Sequence, residues 1–160
     1  MRNLVGHQLG GYRLLELING TLQPSPEGPD RVGSPLGAEV YKATDPSGQV
    51  LVAIKVFSPS AYRDPGALER LRVSLHRVSQ LNHPGIPPIL GSGTIQGRPY
   101  IVMPYLGAGS LANRYASGLA WALNPGQLLD EVSSVLDHAH KHGVMHGDLK
   151  PTSVLFDEES

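Results

Sequence analysis

His146-Gly147-Asp148-Leu149-Lys150-Pro151-Thr152-Ser153 is the stretch on which the reading of this chain turns. It sets a carboxylate, an ammonium, an imidazole and two hydroxyls side by side, with Gly147 and Pro151 keeping it out of regular structure. A helix is predicted just before it. Asn124 is placed to cap, Pro125 takes the first helical position, and Leu128, Leu129, Val132, Val135, Leu136 and Ala139 recur as one apolar stripe. Gly143 is placed to end that helix. The polar string is therefore a loop hung on the end of a rigid element, where charged side chains can be held in place.

Upstream the pattern is one of strands. Tyr12–Ile18 reads as a strand, and residues 19–32 break the pattern with Gly20, Pro24, Pro26, Gly28 and Pro29. Ala38–Ala43 and Val50–Phe57 resume as strands around a turn at Asp45-Pro46-Ser47-Gly48. A helix is predicted from Asp64 as cap and Pro65, with Leu68, Leu71, Leu75 and Val78 at spacings of three and four, stopping before His83-Pro84-Gly85. Strands near Ile89–Thr94 and Pro99–Tyr105 flank a turn at Gln96-Gly97-Arg98, and Ser110–Ala116 forms a short helix. Strand-rich sequence with one helix, followed by helical sequence, predicts an α+β lobe and then the start of an α-rich one. No internal repeat is visible.

Composition narrows the function. A net charge of −1 with 17% charged residues gives no general attraction to nucleic acid or an anionic membrane surface. The chain has no cysteine, which excludes disulfides and thiolate metal sites and fits a reducing compartment. The apolar runs Val50–Ile54 and Tyr100–Met103 are much shorter than a membrane span, and Met1-Arg2-Asn3 leads into no signal segment. A cytoplasmic location is expected, with no membrane partner and no nucleic-acid partner.

The string His146–Ser153, together with Val52-Ala53-Ile54-Lys55, resembles the catalytic loop and the phosphate-binding lysine strand of the eukaryotic-like Ser/Thr protein kinases, closest to the bacterial members. The resemblance covers about Leu9 to Asp157. It implies a protein-kinase-like fold: an antiparallel-sheet N-lobe with one helix, then the first helices and catalytic loop of an α-rich C-lobe. The organisation that follows is an N-terminal extension at 1–10, an N-lobe at 11–105 with a Pro/Gly-rich insertion at 19–32, and an incomplete C-lobe at 106–160.

By the same resemblance, Asp148 orients a substrate hydroxyl and accepts its proton, Lys150 balances charge on the transferred phosphoryl group, and Lys55 contacts the α- and β-phosphates of ATP. Met103 takes the gatekeeper position. Adenine is read by main-chain groups at Pro104 and Leu106, with Val40 and Ala53 lining the apolar slot. Pro104 lacks only its own N–H, so its carbonyl stays available. The implied substrates are ATP with Mg²⁺ and a Ser/Thr hydroxyl of a protein. The residues alone also admit blander accounts: a snorkelling Lys55 at a sheet, and a solvated Asp148/Lys150 pair in a turn.

Several positions depart from the family pattern. Gly33-Ser34-Pro35-Leu36-Gly37-Ala38 stands where G-x-G-x-x-G is expected; Gly33 alone is in place, Pro35 removes an N–H, and Ala38 adds a methyl. Ser74 occupies the helix position that normally carries a glutamate paired with the lysine. Ser153 replaces the Mg²⁺-binding asparagine, and a hydroxyl is a weaker ligand. Gly147 replaces an arginine that pairs with a phosphorylated loop in many members. No Asp-Phe-Gly follows Phe156-Asp157-Glu158-Glu159-Ser160, so this chain alone is not expected to be catalytically competent.

Other readings compete. A pseudokinase would act as a nucleotide- or protein-binding module, and His-Gly-Asp-Leu also resembles the loop of small-molecule phosphotransferases, against which Lys150-Pro151 argues. His138, His140, His142, His146 and Asp148 suggest a zinc site, but His138 and His142 lie off the apolar stripe and no metalloprotease glutamate accompanies them. No metal ligand set is assigned. The Leu128–Ala139 stripe, left without cover, predicts self-association.

Overall fold

The computed structural model describes residues 4–20, 38–58, 66–119 and 123–157. Gly33 and the rest of the Gly33–Gly37 segment, most of the 19–32 break, and the helix start at Asp64-Pro65 lie outside the described residues. The chain divides into two compact units, Met1–Val73 with Ile89–Tyr105, and Ser74–Pro88 with Leu106–Ser160.

In the first unit, β1 (Gln8–Leu9), β2 (Tyr12–Gly20), β3 (Ala38–Thr44), β4 (Leu51–Phe57), β5 (Gly91–Ile95) and β6 (Arg98–Pro104) form one antiparallel sheet in the order β1-β2-β3-β4-β6-β5. Alternation of side chains explains it. In β3 Glu39, Tyr41 and Ala43 are buried while Val40 and Lys42 are half-buried, and in β4 Val52, Ile54 and Val56 are buried while Ala53 and Lys55 are half-buried. The buried set joins Leu4, Leu9, Leu14, Tyr100 and Val102 in one core.

The β3–β4 turn is fixed by Asp45, whose carboxylate accepts from the Ser47 hydroxyl and the amides of Gln49 and Val50. Those bonds hold its pKa below the ordinary carboxylate value. At the β5–β6 turn Gln96 and Gly97 both have positive φ (49° and 76°), the left-handed pairing that matches the twist of a two-residue hairpin.

Two features near the start of the chain differ from the sequence expectation. The strand expected to end at Ile18 continues: Asn19 and Gly20 pair with Val40 and Glu39. The segment read as an N-terminal extension is built into the first unit, with β1 paired to β2 and Leu4 and Leu9 each only 3% exposed. Its polar groups are satisfied there: the Leu4 amide donates to the Tyr41 hydroxyl (3.4 Å) and the Gly6 amide to the Leu14 carbonyl (2.9 Å).

The same core contains an ion pair. The Arg98 guanidinium donates to the Glu39 carboxylate at 2.7 Å and, through Nε, to the Phe57 carbonyl at 3.1 Å; the Tyr41 hydroxyl donates to the same carboxylate at 3.1 Å. The sequence placed Arg98 only in the turn after Gln96-Gly97. Its partner lies fifty-nine residues away in sequence, beyond the reach of any local pattern.

Helix α1 (Ala67–Ser79) spans the boundary between units; Leu71 is buried and Leu68, Leu75 and Val78 are half-buried, as their spacing requires. In the second unit, α2 (Leu111–Ala116) starts with a capping box, Ser110 Oγ accepting from the Asn113 amide and Asn113 Oδ1 from the Ser110 amide. Helix α3 (Pro125–Lys141) starts where predicted, the Asn124 side chain accepting from the amides of Gly126 and Gln127. It ends in a Schellman motif: Gly143, at φ 69°, donates to the His140 carbonyl and Val144 to that of Ala139. Ala139 is buried and Leu128, Val132, Val135 and Leu136 are half-buried, whereas Leu129, expected in the stripe, is 66% exposed.

Candidate functional site

The first unit carries four of the residues expected from the sequence, Val40, Ala53, Lys55 and Met103, on the sheet face opposite its core. Register places Val40 opposite Lys55, Lys42 opposite Ala53, and Ala53 opposite Met103. Residues paired in this way project to the same face. Val40, Ala53, Lys55 and Met103 are therefore neighbours, and all are half-buried. Val40, Ala53 and Met103 make the surface apolar and Lys55 gives it an ammonium group, whose Nζ lies 5.5 Å from the centre of the Phe57 ring. Such a face can receive a flat heteroaromatic ring on its apolar part and an anion at Lys55. Pro104 closes β6 and Leu106 follows Tyr105 beyond it, both half-buried. Gly33 lies outside the described residues.

The second unit carries the loop. After the Gly143 cap the chain runs to Gly147, whose φ of 71° is a backbone conformation that a side chain would strain. Asp148 then faces Lys150, with Nζ to Oδ2 at 2.8 Å. The Asp148 amide donates to His146 Nδ1 at 3.3 Å. The Ser153 hydroxyl donates to the Asp148 carbonyl at 3.0 Å, and the Ser153 amide donates to the Lys150 carbonyl at 2.8 Å. Asp148, Lys150 and Ser153 are thus brought together in one closed turn.

That turn is clamped to the start of α2. The Ala112 amide donates to the Pro151 carbonyl (3.1 Å), Leu111 to Val154 (2.9 Å) and Phe156 to Gly109 (2.9 Å), while Leu155 bridges Ser110. The Arg114 guanidinium lies 3.6 Å from the centre of the buried Phe156 ring. The loop therefore presents an acceptor carboxylate beside a cation on a fixed backbone. That arrangement can take a proton from a hydroxyl and balance negative charge next to it.

A histidine cluster that sequence reasoning found only in part lies in the same unit. His138 stacks on His142 with ring centres 4.5 Å apart and on His83 at 5.3 Å. His83 Nδ1 accepts from the Gly85 amide, which leaves its Nε2–H to donate to Ser134 Oγ at 3.1 Å. His142 Nδ1 donates to the His138 carbonyl at 2.8 Å. The His138 Nε2 is buried without a hydrogen-bond partner. His138 therefore turns inward, where the sequence had placed it off the packed stripe. Burial first, then His142, His83 and Lys141, holds its pKa below the ordinary 6.5. The i, i+4 spacing of His138 and His142 was a visible signal, but no local pattern points to His83. Among the described residues no group of three or more His, Asp or Glu side chains is arranged to hold a metal ion.

A family model for the protein kinase domain matches residues 29–160. The chain is 35% identical over 121 residues to a probable serine/threonine-protein kinase PknB of Lactococcus lactis, covering 74% of this chain and 19% of that protein. It is 31% identical over 155 residues to the serine/threonine-protein kinase PknD of Mycobacterium tuberculosis, covering 94% of this chain and 21% of the relative. The chain thus spans about a fifth of the length of these relatives. In fold it is similar to the crystal structure of the Mycobacterium tuberculosis PknI kinase domain, with a TM-score of 0.72 and 24% identity, covering 98% of this chain and 60% of that one.

Proposed function

Because the chain belongs to the protein kinase family and is a homologue of bacterial Ser/Thr kinases, we propose that it binds ATP on the face bearing Val40, Ala53, Lys55 and Met103, and that it acts chiefly as a nucleotide- and protein-binding domain with weak phosphoryl transfer to protein Ser/Thr hydroxyls. The observation that carries the reading is the placement, by strand register, of Lys55 beside Val40 and Ala53 beside Met103 on one half-buried face. Adenine lies on the apolar residues, the carbonyl of Pro104 and the main chain of Leu106 read its edge, and Lys55 takes the α- and β-phosphates.

For transfer, Asp148 orients the acceptor hydroxyl and takes its proton. The hydroxyl oxygen bonds to the γ-phosphorus, the bond to the β-phosphate oxygen breaks, and ADP leaves with that electron pair. Lys150 balances the charge on the moving phosphoryl group. Mg²⁺ fits this loop poorly. Where the family carries an asparagine there is only the Ser153 hydroxyl, a shorter side chain and a weaker ligand than an amide oxygen, held to the Asp148 carbonyl at 3.0 Å. No step is therefore routed through the metal, and weak turnover follows from this substitution together with Ser74, which is exposed and uncharged.

The test is thermal melting of the full chain with and without Mg-ATP. At about 100 times Kd, binding stabilises the native state by about 2.7 kcal/mol, and Lys55→Met should remove the shift. A wild-type chain that shows no shift at millimolar Mg-ATP would sink the nucleotide reading. Transfer of labelled phosphate to a Ser/Thr-rich acceptor protein should be slow in the wild type and faster in Ser153→Asn; rapid wild-type transfer would overturn the assignment as chiefly a binding module.

A further inference from the structure

The nucleotide-binding face has a second cation, and it is tied to the residue between the two main-chain positions that read adenine. Lys42 follows Val40 by two residues on β3, so it shares the Val40 face and stands directly opposite Ala53. Its Nζ lies 4.7 Å from the centre of the Tyr105 ring. Both residues are half-buried and both belong to the first unit. The Lys42 side chain, on the row that carries Ala53, meets a ring just beyond the end of β6.

The backbone explains why that contact matters. Pairing of β4 with β6 ends at Val52 and Pro104, so Tyr105 and Leu106 lie beyond the last registered pair. No strand pairing holds the peptide plane that links Pro104 to Tyr105, or the one that links Tyr105 to Leu106. The side chain of Tyr105 is the handle by which this stretch can be fixed, and an ammonium over the face of an aromatic ring is an attractive, directional grip on it.

We propose that Lys42 is a positioning residue for adenine recognition: its ammonium clamps Tyr105 and so holds the Pro104 carbonyl and the Leu106 main chain in the orientation that a purine edge requires. This rests on the nucleotide-binding reading above. Lys42 acts through Tyr105 and does not touch the phosphates. Its effect is therefore the same for a nucleoside as for a nucleotide, which separates it from Lys55.

Affinities of the full chain for Mg-ATP and for adenosine, measured by calorimetry, test this directly. Lys42→Met keeps the aliphatic stem and removes the charge, and it should weaken both ligands equally, by about three- to tenfold, on the scale of a partly desolvated cation–π contact. Tyr105→Leu should do the same, the double variant should lose no more than either single one, and Lys42→Arg should recover most of the affinity. A loss confined to ATP would make Lys42 a phosphate contact and overturn the proposal, as would unchanged affinity for both ligands or additive losses in the double variant. If the wild type binds neither ligand, the nucleotide reading itself falls and takes this inference with it. Wild-type binding with an indifferent Lys42→Met removes this inference alone.

Discussion

The two sites of this molecule are held by different means. The residues of the β3–β4–β6 face owe their positions to strand register, in which parity alone sends Val40, Lys42, Ala53, Lys55 and Met103 to one side. The loop at Asp148 has no repeating ladder. It depends on the Ser153-to-Asp148 and Ser153-to-Lys150 bonds, the Asp148–Lys150 ion pair and a few main-chain links to the start of α2. A register tolerates substitution of its side chains because the backbone pays for the alignment. A loop fixed by single bonds can lose its geometry with one residue.

The largest effect is expected at Asp148. Asp148→Asn removes the proton acceptor and should lower whatever transfer rate the wild type shows by about 10²- to 10⁴-fold, while leaving Mg-ATP stabilisation of the chain intact. Loss of nucleotide binding in this variant would mean that the two sites are not separately built. The register side has its own weak point in the buried pair. Glu39→Ala strands the Arg98 guanidinium in the core and should destabilise the chain by about 3–5 kcal/mol in denaturant unfolding. A cost under about 1 kcal/mol would show that the sheet does not rely on this pair.

Smaller effects sharpen the contrast. Ser110→Ala removes the cap of α2, the element to which the Asp148 loop is clamped, and should cost about 1 kcal/mol; transfer should fall with it, and nucleotide affinity should not. The smallest expected effect is one of pH. His138 has its pKa depressed in the folded state, so unfolding takes up a proton once the pH falls below the unfolded value of about 6.5. Its contribution to stability is full above that value and is lost as the pH drops towards the folded pKa. Asp130, Asp137 and Lys141 line the same pocket as His83 and His138 and set the background against which this occurs. His138→Phe should flatten the decline in melting temperature between pH 7 and pH 5, and should raise it slightly at neutral pH because the unpartnered Nε2 is gone. An unchanged slope would assign the acid sensitivity elsewhere.

Much of this was legible from residue order because the decisive signals are local. The alternation in β3 and β4, the stripes of α1 and α3, the Asn124-Pro125 start and the Gly143 stop each act within a turn or a strand, and the structure shows them where the pattern put them apart from shifts of a residue or two. The string at 146–153 pointed to the family by its resemblance to a known motif, and the family model over residues 29–160 shows it. Errors arose where a local sign was overruled. Asn19-Gly20 looked like the start of a break, yet pairing to Val40 and Glu39 extends the strand through them. Leu129 has the right spacing for the stripe but stands at its edge in solvent.

By itself the sequence determined the α+β order of elements, which follows from periodicities of two and 3.6, and the resemblance of two short motifs that pointed to the family and to Lys55, Asp148 and Lys150. Tertiary structure decided what those residues touch. Leu4 and Leu9 became core, Arg98 found Glu39, Lys42 reached Tyr105, and His83 closed on His138. Each of these contacts joins residues separated by dozens of positions. Their energy comes from desolvation and from pairing across the fold, which no local pattern encodes.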